Sequence, residues 1–213
     1  MKLLHKIILF LIYRVFMKPF LRLIIGVSFS DNEPFRQHKQ FLVLGNHNSH
    51  LDTMSILASL PWSRIGEVHP VAAGDYFGKN PVLSFFTRTF VNVLLINRNK
   101  DPSMPQKPLE VMDQYLKEGR SLLIFPEGSR GEPEKLQEFK AGAAILLSKN
   151  PSIPFIPVFM SGMGKVLPKG DGLVVPQECS IQIGSPVFTT GSVDEITQTI
   201  QQTIVELQEG DSP

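Results

Sequence analysis

Polar side chains are concentrated in "GNHNSHLD", residues 45–52, between two apolar runs. The run before them, "FLVLG", is typical of a buried strand, and "LDTMSILASL" after them is typical of a helix. His47 is therefore predicted just beyond the carboxyl end of a strand, the edge where α/β sheets bind ligands. Ser49 is predicted to cap the next helix, with Asp52 at its third position.

His47 and Asp52 have the residue types of a base and the acid that orients it. In one continuous helix, a spacing of five residues would turn the two side chains about 140° apart. With His47 in the turn and Asp52 in the first helical turn, the carboxylate can accept a hydrogen bond from one ring nitrogen. The other ring nitrogen then remains available to take a proton from a hydroxyl group.

Two other interpretations fit the same residues. Asp52 could simply cap the helix, beside an ordinary loop histidine. Alternatively, His47, His50 and Asp52 are residue types that bind metals. Such a site usually needs further ligands from distant loops, and His69 is the only histidine after residue 52. We therefore predict no metal.

Two further predicted strands also end in side chains that can bind an anion. They are "SLLIF", continued by "PEGSRG" (126–131), and "VNVLLI", continued by "NR" (97–98). Glycine permits close backbone approach, serine offers a hydroxyl, and arginine binds phosphate through two parallel hydrogen bonds. The residues with these properties are Arg98, Gly128, Ser129 and Arg130, and Glu127 lies in the same turn as the last three. With His47, they predict a crevice with a basic rim for an anionic substrate.

The remaining chain alternates short apolar runs with helical patterns. Predicted strands cover 41–45, 69–73, 91–96, 121–125 and 153–159, and predicted helices cover 51–60, 81–90, 108–119, 139–150 and 192–208. This alternation predicts an α/β fold, with a mixed, largely parallel sheet flanked by helices. At 213 residues the chain suits one domain, which we place at 31–213.

Residues 1–30 are apolar and carry basic but no acidic side chains. The uncharged stretches are much shorter than the ~18 to 20 residues that cross a bilayer. The interspersed charges also do not fit a signal peptide. The segment is therefore predicted neither to span a membrane nor to direct export.

An interfacial helix explains this segment better. On a helix, Arg14, Lys18 and Arg22 lie on one side. The opposite side carries Leu9, Tyr13, Phe16, Phe20 and Leu23. We predict that 1–30 is a helical segment, divided at Pro19, which lies on an anionic membrane. Because the lone Cys179 suits a reducing compartment, we place the protein peripherally or monotopically on the cytoplasmic face. The alternative is a buried terminal helix whose charged ends reach solvent.

Four sequence blocks resemble the glycerolipid acyltransferases typified by 1-acylglycerol-3-phosphate acyltransferase. "NHNSHLD" matches the His-x4-Asp motif, and "LLINR" resembles the second block with Arg98. "FPEGSRG" resembles the Glu-Gly-Thr/Ser-Arg block, and "IPFIPVF" resembles the fourth block with Pro157. Together they extend from about residue 41 to residue 160 in the family's order.

The resemblance implies transfer of a fatty acyl group from acyl-CoA or acyl carrier protein to the free hydroxyl of a lysoglycerolipid, foremost 1-acylglycerol-3-phosphate. By analogy, His47 is the general base and Asp52 orients it. The implied binding residues for the acceptor's phosphate region are Arg98, Glu127, Gly128, Ser129 and Arg130. We expect no cofactor besides the thioester co-substrate, a membrane lipid surface as partner, and no nucleic acid.

One stretch departs from the family pattern. Many lysophosphatidate acyltransferases carry lysines in a stretch like "AKKEL", whereas this chain has "AAGDYF", with Gly74 and Asp75. Lys79 is a possible substitute for the missing cation. The acceptor could thus be another lysophospholipid or an amino-acid lysolipid. A non-catalytic lipid-binding module is a further alternative, although such a module would not need the His47–Asp52 pair.

Overall fold

A seven-stranded sheet organises the described part of the chain. The computed structural model describes residues 3–49, 51–74, 91–96, 107–132, 134–166 and 178–210. The strands are β1 (Val27–Phe29), β2 (Leu42–Gly45), β3 (Val68–Ala73), β4 (Leu94–Ile96), β5 (Ser121–Ile124), β6 (Phe155–Ser161) and β7 (Cys179–Ile183). Their order across the sheet is β1-β7-β6-β2-β5-β3-β4. All neighbours are parallel except β6 and β7, so the predicted mixed, largely parallel sheet is confirmed.

Strand β2 lies at the centre of the sheet and leads directly to the polar cluster. It pairs with β5 on one side and with β6 on the other, and all four of its residues are buried. Burial on both faces explains why the run is apolar without alternation. At its end, a Cβ on Gly45 would lie 3.2 Å from the carbonyl oxygen of Val158. Glycine therefore allows close approach to β6 where the chain leaves the sheet.

Helices cover both faces of the sheet. Beyond the N-terminal helix they are α3 (Pro34–Gln37), α4 (Asp52–Ser59), α5 (Pro108–Lys117), α6 (Gly142–Lys149), α7 (Met163–Val166) and α8 (Val193–Gly210). One apolar cluster joins the N-terminal helix and α4 to the sheet, and a second joins α5, α6 and α8 to it. The capping box that begins α8 is present, because Ser192 N–H donates to Glu195 Oε2 at 2.8 Å and Glu195 N–H donates to Ser192 Oγ at 3.3 Å.

Several elements differ from the sequence predictions. Strand β4 is shorter than the predicted 91–96, and α6 begins three residues after the predicted 139. Strands β1 and β7 and the short helices α3 and α7 were not predicted. Strand β1 and the two helices have only three or four residues, too few to show a period, and the partner of β1 in the sheet is the distant β7. The helix predicted at 81–90 lies outside the described residues.

The N-terminal helix follows one continuous path from residue 3 to residue 25. It comprises α1 (Leu3–Phe10), a π-helical segment (Leu11–Met17), α2 (Lys18–Phe20) and a second π-helical segment (Leu21–Ile25). The predicted division at Pro19 is wrong, since the flanking Lys18 and Phe20 both have right-handed helical dihedrals. Lys18 N–H donates to the carbonyl of Tyr13, five residues back, and this wider turn accommodates the proline ring.

The helical segment is also shorter than the predicted 1–30. It ends at Gly26, which has a left-handed φ of 94°, and residues 27–29 then belong to the sheet as β1. Within the residues described, no helix is both long enough and apolar enough to cross a bilayer.

The N-terminal helix has one buried face and one exposed face. The buried side chains Leu9, Tyr13, Leu21 and Ile25 pack against the body, where the Tyr13 hydroxyl donates to Met54 Sδ at 3.4 Å. The apolar side predicted for the membrane is divided, because Leu9 and Tyr13 are buried, whereas Phe16, Phe20 and Leu23 are exposed. A period of 3.6 residues does not hold through π-helical turns, so the sequence pattern misplaced part of the face.

Candidate active site

His47 and Asp52 are in direct contact at the carboxyl end of β2. His47 Nδ1 lies 2.9 Å from Asp52 Oδ2, so the predicted folding back of the chain is confirmed. Asp52 is fully buried, and its Oδ2 also accepts the backbone N–H groups of Asn48 at 2.7 Å and Ser49 at 2.8 Å. These two donors fix the carboxylate in place. With Nδ1 held by the carboxylate, Nε2 is the ring nitrogen that can accept a proton.

The start of α4 differs from the predicted cap. The helix begins at Asp52, its N-cap is Leu51, and Ser49 Oγ accepts the N–H of Leu51 at 3.3 Å. Asp52 does reach back to the Ser49 N–H, as the third residue of a capping box would. The same carboxylate oxygen also binds His47 Nδ1.

The turn after β5 holds the backbone and the ring of His47. The N–H of His47 donates to Glu127 Oε1 at 2.9 Å, and the N–H of Gly131 donates to the His47 carbonyl at 3.2 Å. The ring stacks on Phe125, with centroids 4.1 Å apart and an interplanar angle of 11°. The imidazole is thus fixed by contacts from residues about 80 positions away in sequence.

Asn46 was not predicted as a site residue, yet it anchors this strand end. Its Nδ2 donates to the carbonyl of Met160 and its Oδ1 accepts the Met160 N–H, each at 2.8 Å. The side chain is 1% exposed. The signal available in the sequence was an asparagine directly after a buried strand, where its amide can bond both backbone groups of a neighbouring strand.

Glu127 is buried behind the cavity wall. It is 1% exposed and is not among the residues that line the cavity next to His47, so its contact with substrate stays a prediction. Burial raises the pKa of Glu127 to about 7. The N–H groups of His47 and Gln137 oppose this rise, and the charge of Asp52 adds to it. Its contact with the His47 backbone makes Glu127 a positioning residue.

A cavity of about 640 Å³ opens beside the His47 ring. Its polar lining includes His47, Thr53, Ser129, Arg130 and Lys140, together with Gly128. Its apolar lining includes Val71, Val91, Val93, Ile96, Met112 and Ala143. The cavity can therefore hold a molecule with an anionic part and a long apolar part.

The predicted binding residues are only partly brought together. Gly128, Ser129 and Arg130 line the cavity, whereas Arg98 lies outside the described residues. Lys140 was not predicted, because it follows the turn by ten residues in an ordinary helix-start pattern. A smaller cavity of about 450 Å³, near the amino ends of β3 and β5, does not contain the His47–Asp52 pair.

The metal alternative gains no additional ligands from the described part of the chain. There, no group of three or more His, Cys, Asp or Glu side chains is placed to hold a metal ion. His50, which the metal interpretation includes with His47 and Asp52, lies outside the described residues.

A family model described as Acyltransferase matches residues 26–161, which contain the His47–Asp52 pair and the turn after β5. The chain belongs to the acyltransferase family. Its match begins where the helical segment ends and runs through β6, so the helical segment, β7 and α8 lie outside it.

The chain is also similar to characterised members of the family. It is 26% identical over 146 residues to the chloroplastic 1-acyl-sn-glycerol-3-phosphate acyltransferase BAT2 of Brassica napus, covering 68% of this chain and 40% of that protein. It is 24% identical over 157 residues to 1-acyl-sn-glycerol-3-phosphate acyltransferase alpha of Homo sapiens, covering 74% and 53%. The chain thus matches only about half the length of these relatives.

The fold resembles that of a solved acyltransferase. The crystal structure of the 1-acyl-sn-glycerophosphate acyltransferase PlsC from Thermotoga maritima aligns with a TM-score of 0.77. The alignment covers 98% of this chain and 80% of that one, at 22% sequence identity. The likeness extends over the described N-terminal helix, the sheet and α8, and it supports the single-domain architecture.

Proposed function

We propose that the protein transfers a fatty acyl group from an acyl thioester to the free hydroxyl of a lysoglycerolipid. The observation that carries the proposal is His47 at the cavity wall, with Nδ1 bound to the buried Asp52 carboxylate at 2.9 Å. Such a pair presents an oriented imidazole to an alcohol. A module that only binds lipid has no use for it.

The proposed reaction is a direct transfer. Nε2 of His47 takes the proton of the acceptor hydroxyl as its oxygen attacks the thioester carbonyl carbon. The carbon–sulfur bond breaks, an ester forms, and the leaving thiolate takes the proton from the imidazolium. Asp52 stabilises the imidazolium between the two proton transfers. The chemistry requires no cofactor, only an acyl-CoA or acyl carrier protein co-substrate.

The acceptor we propose first is 1-acylglycerol-3-phosphate. Both curated relatives are named for it, and Ser129, Arg130 and Lys140 give the cavity a polar, basic end suited to a phosphate. The apolar wall, which includes Val71 and Met112, suits an acyl chain. Other lysophospholipids and amino-acid lysolipids are the alternative acceptors. Because lysolipids reside in bilayers, we propose peripheral or monotopic membrane association on the cytoplasmic face.

The test is an acyl-transfer assay with the purified protein. Acyl-CoA is supplied with a panel of detergent-dispersed lysolipids, free thiol is followed with a chromogenic reagent, and products are identified by mass spectrometry. We expect His47→Ala to abolish thiol release. His38→Ala, which removes a histidine outside the cavity, is the matched control and should retain activity. A wild-type protein inert with every donor and acceptor would refute the proposal.

A further inference from the structure

Lys140 is held against the turn that carries Gly128, Ser129 and Arg130. Its backbone N–H donates to the carbonyl of Pro126 at 2.9 Å, and the buried Phe139 precedes it. A Cβ on Gly128 would lie 2.7 Å from Lys140 Nζ and 3.1 Å from its Cδ. Gly128 also has a φ of +74°. Glycine at this position therefore allows the left-handed backbone conformation of the turn. It also leaves room for the Lys140 side chain, which occupies the space that a side chain at residue 128 would fill.

The ammonium group of Lys140 has no counterion within the described part of the chain. Among the ion pairs found there, those that involve a lysine join Lys117 to Asp113 and Lys135 to Glu132, and none involves Lys140. The side chain lines the same cavity as His47. A cation placed at a binding cavity without an internal partner is available to a negatively charged ligand.

The neighbouring helix adds to the positive character of this wall. Helix α6 begins two residues after Lys140, and its first residues, Gly142 and Ala143, also line the cavity. No side chain caps the N-terminus of this helix. Its first N–H groups and the helix dipole thus favour an anion on the side where Lys140, Ser129 and Arg130 lie.

We infer that Lys140 binds the phosphomonoester of the acceptor, because it lines the cavity beside Gly128 and the turn that carries Ser129 and Arg130. This inference rests on the proposed function. A phosphomonoester carries a charge of about −1.5 to −2 at neutral pH, whereas the phosphodiester of a lysolipid carries a single negative charge. Lys140 should consequently favour lysophosphatidate over diester lysolipids such as lysophosphatidylglycerol.

The experiment compares Lys140→Met and Lys140→Arg with Lys39→Met. Lys39 lies before the amino end of β2, away from the cavity, so its substitution removes the same charge without touching the site. We expect Lys140→Met to raise KM for lysophosphatidate about tenfold, with kcat changed less than about twofold. For lysophosphatidylglycerol, KM should rise less than about threefold. Lys140→Arg should restore most of the loss, and Lys39→Met should match wild type.

Binding of glycerol 3-phosphate, measured by titration calorimetry, supplies a readout that does not depend on catalysis. Wild type should bind this ligand about tenfold more tightly than Lys140→Met. Equal effects on both acceptors, an effect confined to KM for acyl-CoA, or identical glycerol 3-phosphate affinities would overturn the inference. Wild-type protein that transfers no acyl group but still shows the Lys140-dependent affinity would refute the proposed function alone.

Discussion

At the scale of single residues, the Asp52 carboxylate should control turnover more than substrate binding. In Asp52→Asn the buried side chain keeps its size, but it cannot accept three hydrogen bonds as a carboxylate does or stabilise the imidazolium. We expect kcat to fall by about two to four orders of magnitude. Steady-state thiol release measures kcat. Asp31 is an exposed aspartate near α3, and Asp31→Asn is the control. Turnover near the wild-type rate in Asp52→Asn would contradict the role of the pair.

The Glu127 carboxyl should make folding stability depend on pH. Its pKa in the folded protein is raised from 4.5 to about 7 by burial, so the folded state holds a proton that the unfolded state releases. The stabilising contribution of the protonated form is present below pH 4.5 and is lost as pH rises through 7. Over that interval we expect wild type to lose about 2 to 3 kcal/mol of unfolding free energy relative to Glu127→Gln.

Urea unfolding at a series of pH values measures this difference. Glu33→Gln, at an exposed position, is the control and should leave the wild-type pH profile unchanged. Parallel profiles for wild type and Glu127→Gln would show that the pKa of this carboxyl is not raised in the folded protein. The quantity compared is the slope of unfolding free energy against pH. The absolute values also differ, because the buried amide of Glu127→Gln has its own hydrogen-bonding cost at every pH.

Contacts between residues that are close in sequence were predictable, but contacts between distant segments were not. The pairing of His47 with Asp52 followed from a short turn between a strand and a helix. The burial of Glu127 depends on where its turn packs, and the placement of Lys140 beside Gly128 depends on how residues 131–139 return to the turn. Neither is encoded in a local pattern. Roles inferred from motif position alone are therefore weakest for residues held by tertiary contacts.

At the scale of secondary-structure elements, the N-terminal helix should bind membranes through its exposed apolar side chains. Phe16 is 68% exposed and Leu23 is 81% exposed, and Arg14, Lys18 and Arg22 lie on the same helix. We expect Phe16→Asn with Leu23→Asn to reduce partitioning onto anionic vesicles at least about tenfold, since each buried side chain contributes about 1.5 to 3 kcal/mol. Binding should also weaken with rising salt.

Vesicle flotation at low and high salt measures this partitioning. A double variant at two exposed aromatic positions outside this helix, Trp62→Asn with Phe188→Asn, is the control and should float as wild type does. Undiminished flotation of the helix variant would place the membrane contact elsewhere. Thermal unfolding of both variants verifies that the fold is retained.

The same helix shows why element boundaries were harder to predict than element types. Its helical character followed from the apolar run, but the π-helical turns changed which side chains face the body. Tyr13 and Leu9 are buried because of this, although the 3.6-residue period grouped them with exposed residues. Strand β1 was missed because a three-residue strand at the sheet edge is defined by its partner β7, not by its own pattern.

At the scale of the whole molecule, the sheet assembles a site from chain segments that are far apart. The ends of β2 and β5 supply His47 and the turn at 126–131, β3 and β4 supply apolar wall residues, and the start of α6 brings Lys140. The central strands could be predicted because they are continuous apolar runs buried on both faces. The cavity volume could not be predicted, since it depends on which side chains from at least five elements meet.

This assembly predicts that one side chain on β3 affects the selection of acyl chains. Val71 belongs to the apolar lining of the cavity, where we place the acyl chain. Val71→Phe should therefore reduce the space for the acyl group, and Val71→Ala should enlarge it. We expect Val71→Phe to lower kcat/KM for a long-chain acyl-CoA by about tenfold relative to a short-chain one. Val71→Ala should move this ratio in the opposite direction or leave it unchanged.

Competition between the two donors in one reaction, with products resolved by mass spectrometry, gives the ratio directly. Melting temperatures of the variants separate a loss of fold from a change in selectivity. If both substitutions shifted the ratio the same way in folded protein, the acyl chain would have to lie outside this cavity.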